Sequence, residues 1–213
     1  FEIQRWVTAQ YIIPFLELPS QASLRVLEVG CGEAGVLKAF VDQGHTGMGI
    51  ELSSTRVEMA NSFLSDDVKQ GKVEIVNANI YDIDPASDPK FQFDLIVLKD
   101  VIEHIPDQAR FMAKLKQFLK PGGKVFFAYP PWWMPFGGHQ QICKSKLLSK
   151  LPWFHLLPMG LYVAFLRMMG EGEPTIKELR EIKETGIISE QIHAIIRNLN
   201  YQVIKETFWL INP

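Results

Sequence analysis

Ten consecutive residues, Val26–Gly35, read VLEVGCGEAG and restrict the fold more than any other stretch. Val26, Leu27 and Val29 make a short apolar run suited to a buried strand, and Gly30, Gly32 and Gly35 follow at G-x-G-x-x-G spacing. Glycine tolerates the backbone angles of a tight strand-to-helix turn and lets a ligand come close to the main chain. In sheets built this way, ligands sit beyond the carboxyl ends of the strands, where the strand order reverses. These ten residues alone leave the ligand open.

The rest of the chain continues the alternation. Arg25–Val29, TGMGIEL from Thr46, KVEIV from Lys72, FDLIVL from Phe93 and KVFFAY from Lys124 read as five strands. FDLIVL is apolar throughout, as a central parallel strand buried on both faces would be. Between them, helical spacing picks out Leu37, Phe40 and Val41, then Val57, Ala60 and Leu64, then Phe111, Leu115, Phe118 and Leu119. Gly44 reads as a helix stop, and KPGG, from Lys120, as a turn. An amphipathic helix carrying Ile3, Trp6, Val7 and Tyr11 precedes them and is expected to stop near Pro14. The pattern predicts an α/β fold with a doubly wound, mostly parallel sheet.

After Tyr129 the alternation breaks. Residues 130–186 carry aromatics, prolines and helical segments, and are expected to form a helical insertion after the fifth strand, within a single domain spanning 1–213. A helix with Ile192, Ile195, Ile196 and Leu199 follows, and YQVIKETFWLI is expected to be a final strand.

Of the 213 residues, 47% are hydrophobic and 22% charged, an ordinary balance for a folded domain, and the formal net charge is −2. That charge argues against a broad nucleic-acid footprint, so no nucleic-acid partner is expected. The two cysteines, Cys31 and Cys143, have no metal-type spacing and read as free thiols in a reducing, cytoplasmic setting. No basic segment followed by an apolar one opens the chain, so no secretory signal is expected.

Two carboxylates sharpen the ligand. Glu51 ends the second strand, 19 residues after Gly32, where it would accept from two ribose hydroxyls. Glu28 lies inside the first strand, where a dinucleotide site is normally apolar. A buried carboxylate needs a cationic or hydrogen-bonding neighbour. The ammonium and sulfonium of S-adenosylmethionine would suit it and a pyrophosphate would not, while capping of nearby backbone amides is the structural alternative.

With these residues in view, the chain resembles the class I S-adenosylmethionine-dependent methyltransferases. VLEVGCGEAG looks like their first motif and GIELS like their ribose-binding strand end. VNANIYDID resembles the adenine segment, with Asn79 where that family usually has Asp. FDLIVLKDVIEHIPD and LKPGGKVFFAYP look like the fourth and fifth blocks, so the likeness runs from about Leu24 to Pro130. It implies S-adenosylmethionine as cofactor, with Gly30, Cys31, Gly32 and Gly35 in the backbone cradle and Glu28 at the amino-acid end. It further implies Glu51 and the adjacent Leu52 at the ribose, Asn79 and Ile80 at the adenine, and Lys99 beside the methionine portion. The family usually closes its sheet with an antiparallel hairpin, whereas one strand is visible before Pro213.

The amino-methylating nucleic-acid enzymes of the family carry Asp/Asn-Pro-Pro-aromatic after the fourth strand, and here that place reads LKDVIEH. DVIEHIPD most resembles the ubiquinone-biosynthesis type of small-molecule O-methyltransferase, which implies a small, hydrophobic acceptor with oxygen favoured. Asp100, Glu103 and His104 are spaced i, i+3 and i+4 and would share one helical face. His104 is then a candidate base, Asp100 its neighbour, and the three together a weaker candidate for a divalent cation; otherwise they shape only the turn. His139 competes as the base. Tyr129, Trp132, Trp133 and Phe136 would face the acceptor, and Gly137 and Gly138 would let the segment hinge. Leu151–Met169 is almost wholly apolar and is open to three readings: a lid, a homodimer contact or a peripheral membrane contact. Residues 173–184 then form a charged helix with Ile176, Leu179 and Ile182 on one side. Two rival readings stay open, a nicotinamide-dependent oxidoreductase and a non-catalytic methyltransferase-fold binding protein.

Overall fold

The chain begins with a helix that changes pitch, α from Glu2–Val7 (α1), π from Thr8–Ile12 and α again from Ile13–Leu16 (α2). These coordinates come from a computed structural model, which describes residues 1–19 and 22–209. Pro14 falls just after the π turn, and the helix continues through it and ends at Glu17. The apolar stripe read from the sequence faces outward: Ile3, Trp6 and Tyr11 are exposed, and Thr8 and Ile12 are buried instead. Gly35 decides this. A methyl group there would lie 2.4 Å from the Phe1 carbonyl oxygen and 3.0 Å from Gln4 Cβ. Its absence lets the start of the helix approach α3 closely, with Phe1 half-buried and Thr8 and Ile12 buried, while Gln4 stays exposed.

The sheet follows. Arg25–Val29 (β1) leads through the glycine turn into Gly35–Asp42 (α3), then Thr46–Glu51 (β2). Ser54–Phe63 (α4) is capped by the Ser53 hydroxyl, which accepts from the Arg56 N–H, and is followed by the short Ser65–Lys69 (α5). Val73–Asn77 (β3), Phe93–Lys99 (β4), Gln108–Lys116 (α6) and Leu119–Ala128 (β5) complete the alternation. The strand order is β3-β2-β1-β4-β5, with β1 parallel to both β2 and β4, and β2 parallel to β3. The doubly wound α/β fold is therefore the one expected. Leu95, Ile96, Val97 and Leu98 of β4 are all buried, as a strand covered on both faces requires. β5 starts earlier than its sequence suggests and takes in the KPGG stretch, with Gly122 at φ 79 supplying the bend.

By its internal contacts the chain forms two compact units. The first takes Phe1–Leu98 and Ala113–Phe127, and its core gathers Val26, Leu37, Phe40, Leu64, Leu95 and Val97. The second takes Lys99–Met112 and, of the described residues, 128–209, so the expected insertion, 130–186, lies within it. It contains Met159–Met168 (α7), Glu173–Thr185 (α8) and Ser189–Asn198 (α9). Its own core gathers Leu148, Phe154, Tyr162, Leu166, Ile176 and Leu179. α8 buries Ile176, Leu179 and Ile182 as its spacing predicts. The expected last strand does not form over residues 201–209, where Val203, Ile204, Phe208 and Trp209 are exposed; the rest of it lies outside the described residues. Strand propensity alone carries little without a neighbouring strand to pair with.

Candidate active site

The strand order reverses between β1 and β4, which places the glycine turn at the switch point where such sheets bind ligands. Gly30 and Cys31 donate to the Ile50 carbonyl at 2.8 and 3.2 Å, so the turn is tied to β2. Glu51, buried at the end of β2, completes the tie: its Oε2 accepts from the Gly32 N–H and its Oε1 from the Ser53 N–H, both at 2.9 Å. Each carboxylate oxygen keeps a lone pair, so Glu51 holds the turn and still has acceptors for a diol. Gly32 stands at φ 53, and a methyl group there would enter open space with nothing within 4 Å. The turn thus presents bare backbone to a free volume, which fits a nucleoside cofactor. Gly35 also serves the close packing of Phe1 described above.

Glu28 is buried, and its Oε2 accepts from the Leu37 N–H at 2.8 Å, in the first turn of α3. The positive end of that helix compensates the charge. This bond is the backbone-amide contact that the sequence allowed, and a buried Glu28 does not by itself separate a sulfonium from a pyrophosphate. Burial, reinforced by the charges of Glu28 and Glu51, pushes the Cys31 thiol far up and favours its neutral form. Asn79 is exposed and caps the 3₁₀ turn Ile80–Asp82, its Oδ1 accepting from the Tyr81 N–H, and Ile80 is buried. Asn77, which the sequence reading passed over, donates from Nδ2 to the Glu51 and Leu52 carbonyls at 2.9 Å and fixes the loop after β2. Leu52 itself is exposed. An amide ending β3 was the available signal.

In the second unit a 3₁₀ turn, Ile102–His104, replaces the helical face expected of Asp100, Glu103 and His104. The turn begins at Ile102, so Asp100 lies outside it and the expected shared face does not form. Asp100 precedes the turn at φ 54, exposed, with its carboxylate on the neighbouring Lys99 ammonium. The residue that joins Glu103 is His139. Its Nε2 lies 3.1 Å from Glu103 Oε1, and the His104 ring meets the His139 ring edge-on at 5.6 Å. Glu103 is 1% exposed, and neither of its oxygens accepts a well-aligned hydrogen bond among the described residues. Burial disfavours the charged His139 ring, but the contact with Glu103 and the charges of Glu103, Asp100 and Glu178 outweigh it and hold the imidazole above its ordinary value. Glu103, His104 and His139 together bring one ligand atom each within 4.8 Å, so the donor set differs from the Asp100 group read from the sequence.

Close contacts hold the aromatic segment in this structure. His155, fully buried, donates from Nε2 to the Trp132 carbonyl at 2.9 Å, and Lys183 lies 5.1 Å from the Trp132 ring centre. A methyl group at Gly138 would fall 2.2 Å from His155 Cβ, and one at Gly137 would fall 2.4 Å from the Pro131 carbonyl. These glycines are there for close approach. Gly138→Ala is expected to cost about 1–3 kcal/mol of stability, read by urea denaturation. Tyr129 and Phe136 are half-buried and Trp133 is exposed. Burial raises the Tyr129 phenol above its ordinary value, with the Ser189 hydrogen bond working the other way.

A family model described as a methyltransferase domain matches residues 3–161. The chain belongs to that family. The ubiquinone biosynthesis O-methyltransferase of Thiobacillus denitrificans is 36% identical to this methyltransferase domain over 107 residues, 50% of the chain and 44% of that protein. The enzyme of the same description from Pasteurella multocida is 33% identical over 111 residues, 49% of the chain and 45% of that protein. The chain spans less than half the length of these curated relatives. Among solved structures, plantazolicin methyltransferase BpumL in complex with SAH is 10% identical with a TM-score of 0.59, covering 93% of this chain and 64% of that one. The same protein with a triazolic desmethylPZN analog and SAH gives 0.60 at 10% identity, over 92% and 63%. The class I S-adenosylmethionine-dependent methyltransferase fold is thus the one the motifs implied, and the nicotinamide-dependent oxidoreductase is set aside. Among the described residues, no helix of this methyltransferase domain is long and apolar enough to cross a membrane.

Proposed function

We propose that this methyltransferase domain moves a methyl group from S-adenosylmethionine to an oxygen of a small, hydrophobic acceptor, with His139 as general base. The buried Glu103 carboxylate against His139 Nε2 carries the reading. A carboxylate without well-aligned donors is costly to bury, and a base that must become a cation repays it. The names of the relatives, both O-methyltransferases, support oxygen over nitrogen or carbon.

S-adenosylmethionine, when bound, supplies an electrophilic methyl on a sulfonium. Gly30, Cys31 and Gly32 would meet it with backbone, Glu51 beside Leu52 would take the ribose, and Asn79 with Ile80 the adenine. Glu28 and Lys99 belong at its methionine portion. In the neutral His139 ring the proton stays on Nε2, facing Glu103, which leaves the Nδ1 lone pair for the acceptor hydroxyl. As the O–H bond breaks, the proton moves to Nδ1, and Glu103 stabilises the resulting imidazolium. Tyr129, Trp132 and Phe136 offer apolar faces to the acceptor's body.

Calorimetry with S-adenosylmethionine, S-adenosylhomocysteine and NAD tests the first half. Micromolar binding of the two sulfur ligands and none of NAD is expected, and silence from all three would overturn the reading. Glu51→Ala is expected to weaken binding at least about tenfold, through lost charge-assisted hydrogen bonds worth about 1.5–3 kcal/mol. A panel of phenols, catechols and amines, with release of S-adenosylhomocysteine as readout, tests the second half. Turnover on amines alone would remove the oxygen assignment.

One observation favours a second reading: the convergence of Glu103, His104 and His139 within 4.8 Å. A divalent cation held there would polarise the acceptor oxygens directly. Activity that survives dialysis against a chelator keeps His139 as the base, and loss restored by added Mg²⁺ or Zn²⁺ replaces it.

A further inference from the structure

The segment Pro130–Gly170 contains four cationic residues, Lys144, Lys146, Lys150 and Arg167, and no carboxylate, within a chain whose net charge is −2. Arg167 is paired with Glu173 at 2.9 Å, but the three lysines are exposed and make no ion pair among the described residues. The same segment leaves large apolar side chains in water. α7 is the clearest case. One of its faces is anchored in the core by Tyr162 and Leu166, with Phe165 half-buried against it, yet Leu161 and Met168, spaced i and i+7, stand 62% and 72% exposed. Phe165 also lines an apolar groove of about 470 Å³ with Trp153, Leu156 and Leu157.

From this combination we infer that the second unit carries an interfacial membrane-binding patch, selective for anionic lipid, built from the Trp153–Leu157 loop, Leu161 and Met168 of α7, and Lys144, Lys146 and Lys150. Trp153 and Trp133 are 49% and 62% exposed, and the Trp153 Nε1–H donates to the Trp133 carbonyl at 3.1 Å. Trp153 stands at φ 58, an uncommon conformation for a bulky residue, with its N–H on the Pro135 carbonyl at 2.7 Å. The backbone therefore holds an indole at the surface. Indoles with an apolar body and a polar edge concentrate at the membrane–water boundary. Lysine stems lie along apolar surface while their ammonium groups reach outward, and Leu147, 59% exposed, sits between Lys146 and Lys150.

The charge selects lipid over a second copy of the chain. A two-fold contact sets the same patch against itself, which would bring three unpaired lysines toward three others. Lipid phosphates complement them. α7 has 10 residues, about 15 Å of helix, too short to span and suited to lying in the interface.

Vesicle co-sedimentation, with neither cofactor nor acceptor present, tests this apart from the methyl-transfer reading. The protein is expected to partition onto vesicles of phosphatidylcholine with phosphatidylglycerol, far less onto phosphatidylcholine alone, and to be released by salt. Changing Lys144, Lys146 and Lys150 together to Gln is expected to weaken partition on the order of a hundredfold. Leu161→Asp with Met168→Asp is expected to abolish it. All five positions are exposed, and unchanged circular dichroism shows that each variant folds. Equal partition onto both vesicle types, or onto neither, overturns the inference. So does a lipid-free dimer in sedimentation velocity that the Leu161/Met168 variant dissolves.

Discussion

His139→Ala is expected to lower kcat for methyl transfer by about 10²–10⁴-fold, the contribution of a well-placed acid or base, with cofactor affinity unchanged. The pH profile separates catalysis from structure. The neutral ring is the base, so the rate falls as pH drops through the pKa of His139. That midpoint is held above the ordinary value of about 6.5, because Glu103, with Asp100 and Glu178 behind it, outweighs the effect of burial. Glu103→Gln removes the nearest of these charges and leaves burial to act, so the rising limb is expected to move to lower pH. A residue that only shapes the loop would lower the rate without moving the limb. Stability has the opposite sign. A raised folded-state pKa means that the pair contributes fully below about pH 6.5 and loses that contribution as pH rises through the folded value.

Leu179→Ala is expected to remove about 2–5 kcal/mol of stability, the cost of a large-to-small change at a fully buried site. Leu179 is completely buried on α8, in a cluster with Tyr162, Leu166 and Ile176. That cluster belongs to the second unit, and the sheet has its own around Leu37 and Phe40. Hydrogen exchange by mass spectrometry is therefore expected to show lost protection over α7 and α8, with β1 and β2 less affected. Leu37→Ala is expected to give the reverse pattern. Uniform loss in both variants would show that the two cores open as one.

The site was legible in unequal parts. Glu51 and the glycine turn stood out because strand, turn and helix are local patterns, and a carboxylate at a strand end has few structural uses. Burial of Glu28 is legible from its place in the strand, but which backbone amide it meets is not: the Leu37 N–H that it accepts from sits on the next element. His139 was one candidate among several because it lies 36 residues from Glu103 in the chain. Asp100 was favoured by spacing, yet its left-handed backbone takes it off the turn that carries Glu103.

The sequence by itself determined the five parallel strands, the buried stripe of α8 and the family motifs from Leu24 to Pro130. These rest on hydrophobic periodicity and turn chemistry, which act over a few residues. Tertiary structure alone decided which stripe of the first helix is buried, through the space left by Gly35. It alone placed Gly138 against His155, left residues 201–209 without a strand and brought His139 to Glu103. Each of these depends on what lies opposite a residue in space, and a one-dimensional period carries no information about that.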